Sequence, residues 1–388
     1  MLTVCCVIPS FYPAFSYGGP IYSTYHSFTE LAKFDDIFIR VSTTNTNMNA
    51  KLDVVMNKWV SLNDFQVKYY NETIVDKISL SLIFNVWKDI TKADVVHIQS
   101  IFNTPTPISL IYAKLFRKKI ILSPRGSLGE WCLDNGNKFK SYWLKYAIKP
   151  FLKDVVWHST AQQEKNEILQ VFPTAKVEII PNGIEYEKFQ VNDVFSKKEY
   201  IKRFLNLDAD VEKIVVSMGR IQQKKGFDIL LNAFVDVINQ YPSAKLLIAG
   251  EDEGELASLL SLVEKLKLNE SVFFIGSISG QDKIDFLANA DLFVLPSHNE
   301  NFGNVYVESL AAGTPIVAST NTPWSEVEVG ECGKWVPNSI KETSNAMLEM
   351  LGGDREILRE NAKKLAKKYD WQNIALQFKK LYEKMVKL

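Results

Sequence analysis

What most constrains this chain is the recurrence of short Val/Ile/Leu runs separated by longer stretches with helical spacing. Leu2–Ile8 leads into a Gly/Pro/aromatic loop (Pro9–Pro20) and a helical stretch near Ile21–Lys33. Ile37–Val41, Asp94–Gln99, Lys119–Leu122, Val155–Ser159 and Val177–Ile180 repeat the strand-like pattern, with helical spacing at Ile78–Ile90 and Ala161–Leu169. Strands apolar along their whole length belong to a parallel sheet covered on both faces, since neither face then meets water. The pattern starts afresh with Lys213–Ser217, Ala244–Ala249, Val272–Ile275, Leu292–Leu295 and Pro315–Ala318. Helical spacing follows near Gly226–Gln240, Leu256–Lys267, Gln281–Ala290 and Asn304–Ala312, and the tail from Lys341 is mostly helical. The expectation is an α/β chain of two doubly wound, Rossmann-like units facing a cleft, over residues 1–185 and 186–371. At roughly 150 residues per domain the length agrees. Ligands of such sheets bind at the C-terminal strand ends, so the loops leaving the strands carry the function.

Composition excludes several classes. Lys plus Arg is 45 and Asp plus Glu is 45, a zero balance that argues against a nucleic-acid binder. Four scattered cysteines make neither a disulfide framework nor a zinc site, and adjacent Cys5 and Cys6 read as core. No run approaches the roughly 18 apolar residues of a spanning helix. The first residues lack the features of a secretory signal, so the expected location is cytoplasmic, at most peripheral on the inner membrane. There is no G-x-G-x-x-G after the first strand, because Gly18-Gly19-Pro20 has the wrong spacing, and no Walker A sequence.

Two loops stand out. After Ile214–Ser217, Arg220 and Lys225 occupy a strand-to-helix loop, where a guanidinium, an ammonium and free backbone N–H groups suit a diphosphate. The strand Leu292–Leu295 ends in His298-Asn299-Glu300-Asn301-Phe302-Gly303-Asn304-Val305-Tyr306-Val307-Glu308. Here Glu300 sits on the loop, Gly303 permits the turn, and Phe302 to Val305 open a helix with unpaired N–H groups. Glu308 follows inside that helix, so two carboxylates could grip different parts of a polyhydroxylated ligand.

The string Glu300 to Glu308 resembles the E-x7-E motif of glycosyltransferase family 4, whose members have the GT-B fold. Gly18-Gly19, Ser123-Pro124-Arg125-Gly126, Ile180-Pro181-Asn182-Gly183-Ile184, the Gly219–Gly226 loop and Ala311-Ala312-Gly313-Thr314-Pro315 agree, in the family's order. The resemblance implies an acceptor-binding first domain, joined by the helix 372–388, and a second domain that binds a nucleotide-diphosphate sugar. Arg220 and Lys225 would hold the diphosphate, Glu308 the ribose hydroxyls, and Glu300 the transferred sugar, with the N–H groups of Phe302, Gly303, Asn304 and Val305 nearby. Ser277 and Ile278 would touch the base through backbone groups, and Gly18 and Gly19 would let the first loop approach closely. His97 is expected near the reacting sugar, whereas His158 is expected to be structural. Arg125 and Trp131 are candidate acceptor contacts. Asn301 departs from the family, where Gly is common, and leaves the donor open.

The implied activity is retaining, metal-independent transfer from a UDP- or GDP-linked sugar to a glycan or an undecaprenyl-diphosphate-linked acceptor, in bacterial surface polysaccharide synthesis (O-antigen, capsule or exopolysaccharide). No cofactor is expected, and the one D-x-D string, Asp208-Ala209-Asp210, precedes a strand rather than following one. The rivals are a nucleotide-sugar epimerase on the same fold and a catalytically silent sugar-nucleotide binder. Between Pro105 and Lys153, ten cations face two anions, Glu130 and Asp134, and the stretch Lys138–Tyr146 interleaves lysines with aromatics. Such a helix either rests on an anionic bilayer or is an ordinary solvated face.

Overall fold

The computed structural model describes residues 1–48, 50–73, 78–129, 132–133, 139–190 and 195–387. Trp131, Lys138, Glu130 and Asp134 lie outside the described residues. The chain divides into unit 1, Met1–Gly183 with Trp371–Leu388, and unit 2, Ile184–Asp370.

Unit 1 is built on a sheet of β1 (Leu2–Val7), β2 (Ile37–Thr44), β3 (Trp59–Leu62), β4 (Phe65–Tyr70), β5 (Val95–Gln99), β6 (Lys119–Ser123), β7 (Val155–Ser159) and β8 (Lys176–Ile179). Their order is β8-β7-β6-β5-β1-β2-β4-β3. All described pairs are parallel except β3 with β4. That antiparallel edge was not anticipated. In β4, Phe65, Val67 and Tyr69 are buried while Gln66 and Lys68 are only half-buried, the alternation of a strand covered better on one face. β5, by contrast, is buried at every position, as a central strand must be. Helix α1 (Gly19–Leu31) follows the first loop. The last helix, Trp371–Lys387, buries Ile374, Phe378, Leu381, Tyr382 and Met385 against the same core as Val4, Ile39 and Val41.

Unit 2 has β9 (Ile214–Met218), β10 (Lys245–Ala249), β11 (Val272–Phe274), β12 (Leu292–Leu295), β13 (Ile316–Ser319) and β14 (Gly333–Val336). The order is β11-β10-β9-β12-β13-β14, parallel throughout; β14, unanticipated, starts with Gly and its remaining positions are only half-buried.

In each unit the chain begins at a central strand, builds one side, then returns to build the other. The order therefore reverses between β1 and β5 in unit 1 and between β9 and β12 in unit 2. Crevices at such reversals are where ligands bind in open α/β sheets.

Candidate functional site

In unit 2 the two loops at the reversal are the ones singled out from the sequence, and they are laced together. Gly226 has φ +68°, and a Cβ there would lie 2.1 Å from the Pro296 carbonyl oxygen, so only glycine fits. His298 N–H donates to the Lys224 carbonyl at 2.8 Å, and the Ser297 hydroxyl donates to the same oxygen at 3.2 Å. This contact delivers the Lys225 ammonium to the Glu300 carboxylate, which also accepts from Ser297 Oγ at 3.1 Å. Both side chains are largely buried. Lys225 lies over Gly219, where an added Cβ would meet its Cε at 3.3 Å.

Arg220 is far more open, 63% exposed, and its Nη1 donates to Glu253 at 2.8 Å. Gly303, at φ +74°, caps α2 (Asn304–Ala311). That helix is anchored by the buried Tyr306, whose hydroxyl donates to the Leu295 carbonyl at 2.7 Å, and by Trp324 Nε1, which donates to the Phe302 carbonyl at 2.7 Å. The Phe302 ring is buried among Trp324 and Tyr369, so only its backbone can serve a ligand. Asn304 and Val305 form the first turn of α2. Glu308, on the same helix, pairs with Lys283 at 2.7 Å. The Lys283 ammonium also lies 5.9 Å from the centre of the Phe189 ring. Ser277 is exposed and Ile278 half-buried, in the loop after β11 whose Gly276 carbonyl accepts from Gly250 N–H at 2.9 Å.

The structure thus unites Lys225 with Glu300 and puts Glu308 against a cation that sequence reasoning missed. Lys283 belongs to another helix, 25 positions away, and nothing in local pattern marks it; the same holds for Glu253 beside Arg220. Asp208 pairs with Lys198 at 2.8 Å ahead of β9, at the strand end opposite to Arg220.

In unit 1 the expectation for His97 needs correction. It is buried, and both ring nitrogens have protein partners: Nδ1 lies 2.9 Å from the Tyr382 hydroxyl and Nε2 lies 2.7 Å from Ser123 Oγ. Ser123 Oγ is also 2.7 Å from His158 Nδ1, and His158 Nε2 is 2.8 Å from the Ile180 carbonyl. A carbonyl only accepts, so His158 carries its proton on Nε2 and its Nδ1 accepts from Ser123. His97 Nε2 faces two groups, Ser123 Oγ at 2.7 Å and the Gln99 amide nitrogen at 3.1 Å, while Nδ1 faces the Tyr382 hydroxyl. Burial and the Arg125 charge hold both rings neutral; His158 is pulled down to about 3 and His97 well below its ordinary value, burial being the main cause. Both ring nitrogens of His97 and of His158 are thus engaged within the protein, where an open His97 was expected.

What the two histidines support is Arg125. Its Nε donates to Gln99 Oε1 at 2.7 Å, and the other end of that amide rests 3.1 Å from His97 Nε2. Its Nη1 reaches Asn182 Oδ1 at 3.3 Å and its Nη2 reaches Thr24 Oγ1 at 3.4 Å. Arg125 takes φ +57°, which turns the side chain inward from the end of β6. Gly18, φ +69°, leads into α1, with no atom within 4 Å of where a Cβ would stand; Gly19 is the first residue of that helix.

The family model for glycosyl transferases group 1 matches residues 198–380. An uncharacterized glycosyltransferase of Methanocaldococcus jannaschii is 34% identical over 228 residues, 56% of this chain and 57% of that one. Alpha-monoglucosyldiacylglycerol synthase of Streptococcus pneumoniae is 34% identical over 183 residues, 46% of this chain and 40% of that one. The chain thus spans about half the length of the curated relatives it matches. The crystal structure of Anabaena HepE in complex with UDP superposes with a TM-score of 0.74 at 18% identity, over 99% of this chain and 100% of that one. Residues 198–380, just under half of the chain, thus resemble the glycosyl transferases group 1, and the fold is GT-B.

Proposed function

We propose that this protein is a retaining, metal-independent glycosyltransferase, moving a sugar from a UDP- or GDP-linked donor to a glycan or lipid-linked acceptor. The observation that carries the reading is the Lys225–Glu300 pair, held by two laced loops at the point where the unit 2 strand order reverses. A dianionic diphosphate offers Lys225 and Arg220 a better partner than a single carboxylate does. In exchange Glu300 is released to accept hydrogen bonds from the hydroxyls of the transferred sugar. Glu308 accepts from the ribose hydroxyls beside Lys283.

In the transfer step the bond between the anomeric carbon and the phosphate oxygen breaks, and the acceptor oxygen bonds to that carbon on the same face. The acceptor's hydroxyl proton passes to the departing phosphate oxygen. Arg220, Lys225 and the positive end of α2 stabilise the charge that develops there, the kind of contribution that dominates many rate enhancements. The relative from Streptococcus pneumoniae is by name a synthase of a glycosylated diacylglycerol, which supports a lipid acceptor. So does the stretch after Lys138: Phe139, Tyr142 and Tyr146 are 61%, 60% and 62% exposed, with Lys140 and Lys145 among them. Among the described residues no helix is long and apolar enough to cross a membrane. Flotation with anionic liposomes should carry the protein up, and neutral liposomes should not. A role in surface polysaccharide synthesis is consistent with this chemistry.

Melting temperature should rise with a UDP- or GDP-sugar, because a ligand of the folded state stabilises it. Acceptor-dependent release of the nucleoside diphosphate, with the product's anomeric configuration read by NMR, then tests transfer. An inverted product refutes the retaining step, an epimerised donor without transfer supports the epimerase, and binding without turnover supports the silent binder. Failure to bind any nucleotide sugar sinks the reading.

A further inference from the structure

The loop edge of unit 1 holds a cation that makes no ion pair among the described residues. Among the described residues no carboxylate lies within ion-pair distance of Arg125; its three contacts are neutral oxygens of Gln99, Asn182 and Thr24. The nearby acid, Glu164, is turned away, with one oxygen taking the Gly126 N–H at 2.6 Å and the other the Thr160 N–H at 2.6 Å. The histidines behind it are neutral and so do not offset its charge.

A half-buried guanidinium is costly to keep without an anion, and proteins that retain one commonly have it paired. Here the pairing partner is absent although the fork is fixed: Gln99 holds Nε, and Gln99 is backed by His97, which is fixed by Tyr382 and Ser123. Two of the five guanidinium N–H groups have no protein acceptor, enough for bidentate capture of an oxyanion. On the same edge, in the loop after β5, Asn103 is buried and its Nδ2 has no partner, while its Oδ1 accepts from Thr106.

We infer that unit 1 binds an oxyanion, a phosphate or a carboxylate, through Arg125, and that the acceptor therefore carries a negative group. The inference rests on the glycosyltransferase reading only for the word acceptor; the anion site stands on the unit 1 geometry alone. It names a chemistry that could also come from the donor's diphosphate, and the experiment separates the two sources.

Calorimetric titration of the full chain with glucose, glucose 6-phosphate and glucuronate is the test, with UDP in parallel, on wild type, Arg125→Gln and Arg125→Lys. The expected result is that at least one charged probe binds roughly tenfold or more tighter than glucose. Arg125→Gln should erase that preference while UDP affinity stays within about twofold; Arg125→Lys, with charge but no fork, should keep part of it. Circular dichroism on both variants guards against loss of fold. If Arg125→Gln does not fold, the Lys variant decides, since unchanged discrimination there refutes bidentate capture. Equal binding of all three probes, or of none, overturns the inference, and so does an Arg125→Gln variant that loses UDP instead. Absence of nucleotide binding in wild type defeats the functional reading and leaves the anion preference to be judged on its own arms.

Discussion

Both units place a cation in a loop leaving a strand, in unit 2 at the reversal of strand order and in unit 1 one strand beyond it, yet they treat its charge in opposite ways. In unit 2 the site charges have internal partners: Lys225 with Glu300, Arg220 with Glu253, Glu308 with Lys283. In unit 1 Arg125 has no ion-pair partner among the described residues and is backed by neutral imidazoles. A paired site gives up one contact to gain another and so discriminates by exchange, whereas an unpaired one waits for an anion that the fold itself does not supply. The difference also predicts where pH acts. Unit 1 buries two imidazoles, which burial holds well below their ordinary range.

The largest expected effect tests that last point. The imidazoles of His97 and His158 bind no proton in the folded state until well below their ordinary pKa of about 6.5, while the unfolded chain binds one at each. Stability therefore falls as pH drops below about 6.5 and keeps falling until the folded rings titrate. Between pH 7 and pH 5 the loss should be about 2 kcal/mol per ring, and about 4 kcal/mol for both. Urea denaturation at the two pH values measures it, and His158→Asn should remove roughly half of the slope. A pH-independent midpoint would refute the buried neutral pair.

Next in size is Lys225→Ala, which removes a preorganised donor to the leaving group and should lower turnover by roughly a hundredfold or more, about 2.7 kcal/mol. Arg220→Ala should act in the same direction. Steady-state release of nucleoside diphosphate at saturating donor is the readout, and near-normal turnover of both variants would dissolve the unit 2 half of the comparison. Gly226→Ala should cost ~2 kcal/mol or more in unfolding free energy, since a Cβ 2.1 Å from a backbone carbonyl forces the laced loops apart.

Lys283→Met should raise the donor KM several-fold, on the order of 1 kcal/mol, with kcat within about twofold, because it frees Glu308 without touching the reacting atoms. Lys283→Arg should recover most of it, and a fall in kcat instead would place Lys283 in the transfer step. The smallest effect belongs to Glu253→Ala: an exposed pair is worth about 1 kcal/mol or less, so thermal unfolding should barely move.

The strands and their loops were legible because burial on both faces writes itself as unbroken Val/Ile/Leu runs, as at Leu292–Leu295 and Val155–Ser159. What was not legible lies on edges or at long range. β4 alternates, β3 has no buried position, and β14 is only half-buried after its opening Gly333. The candidate residues stand on the strand-end loops expected for them, yet their partners were not legible: Lys225 meets Glu300 across 75 positions. His97 was misjudged because Tyr382, which occupies its Nδ1, stands 285 positions away on the returning helix. A polar residue at a strand end looks the same in sequence whether its hydrogen bonds go to a ligand or to the protein.

The contact between Gly226 and the Pro296 carbonyl has a practical consequence for redesign. Neither segment has an independent set of allowed shapes, so a graft that imports a new sugar preference through one of them inherits a steric veto from the other. Engineers wishing to alter donor choice should transplant 219–226 and 296–303 as a single cassette.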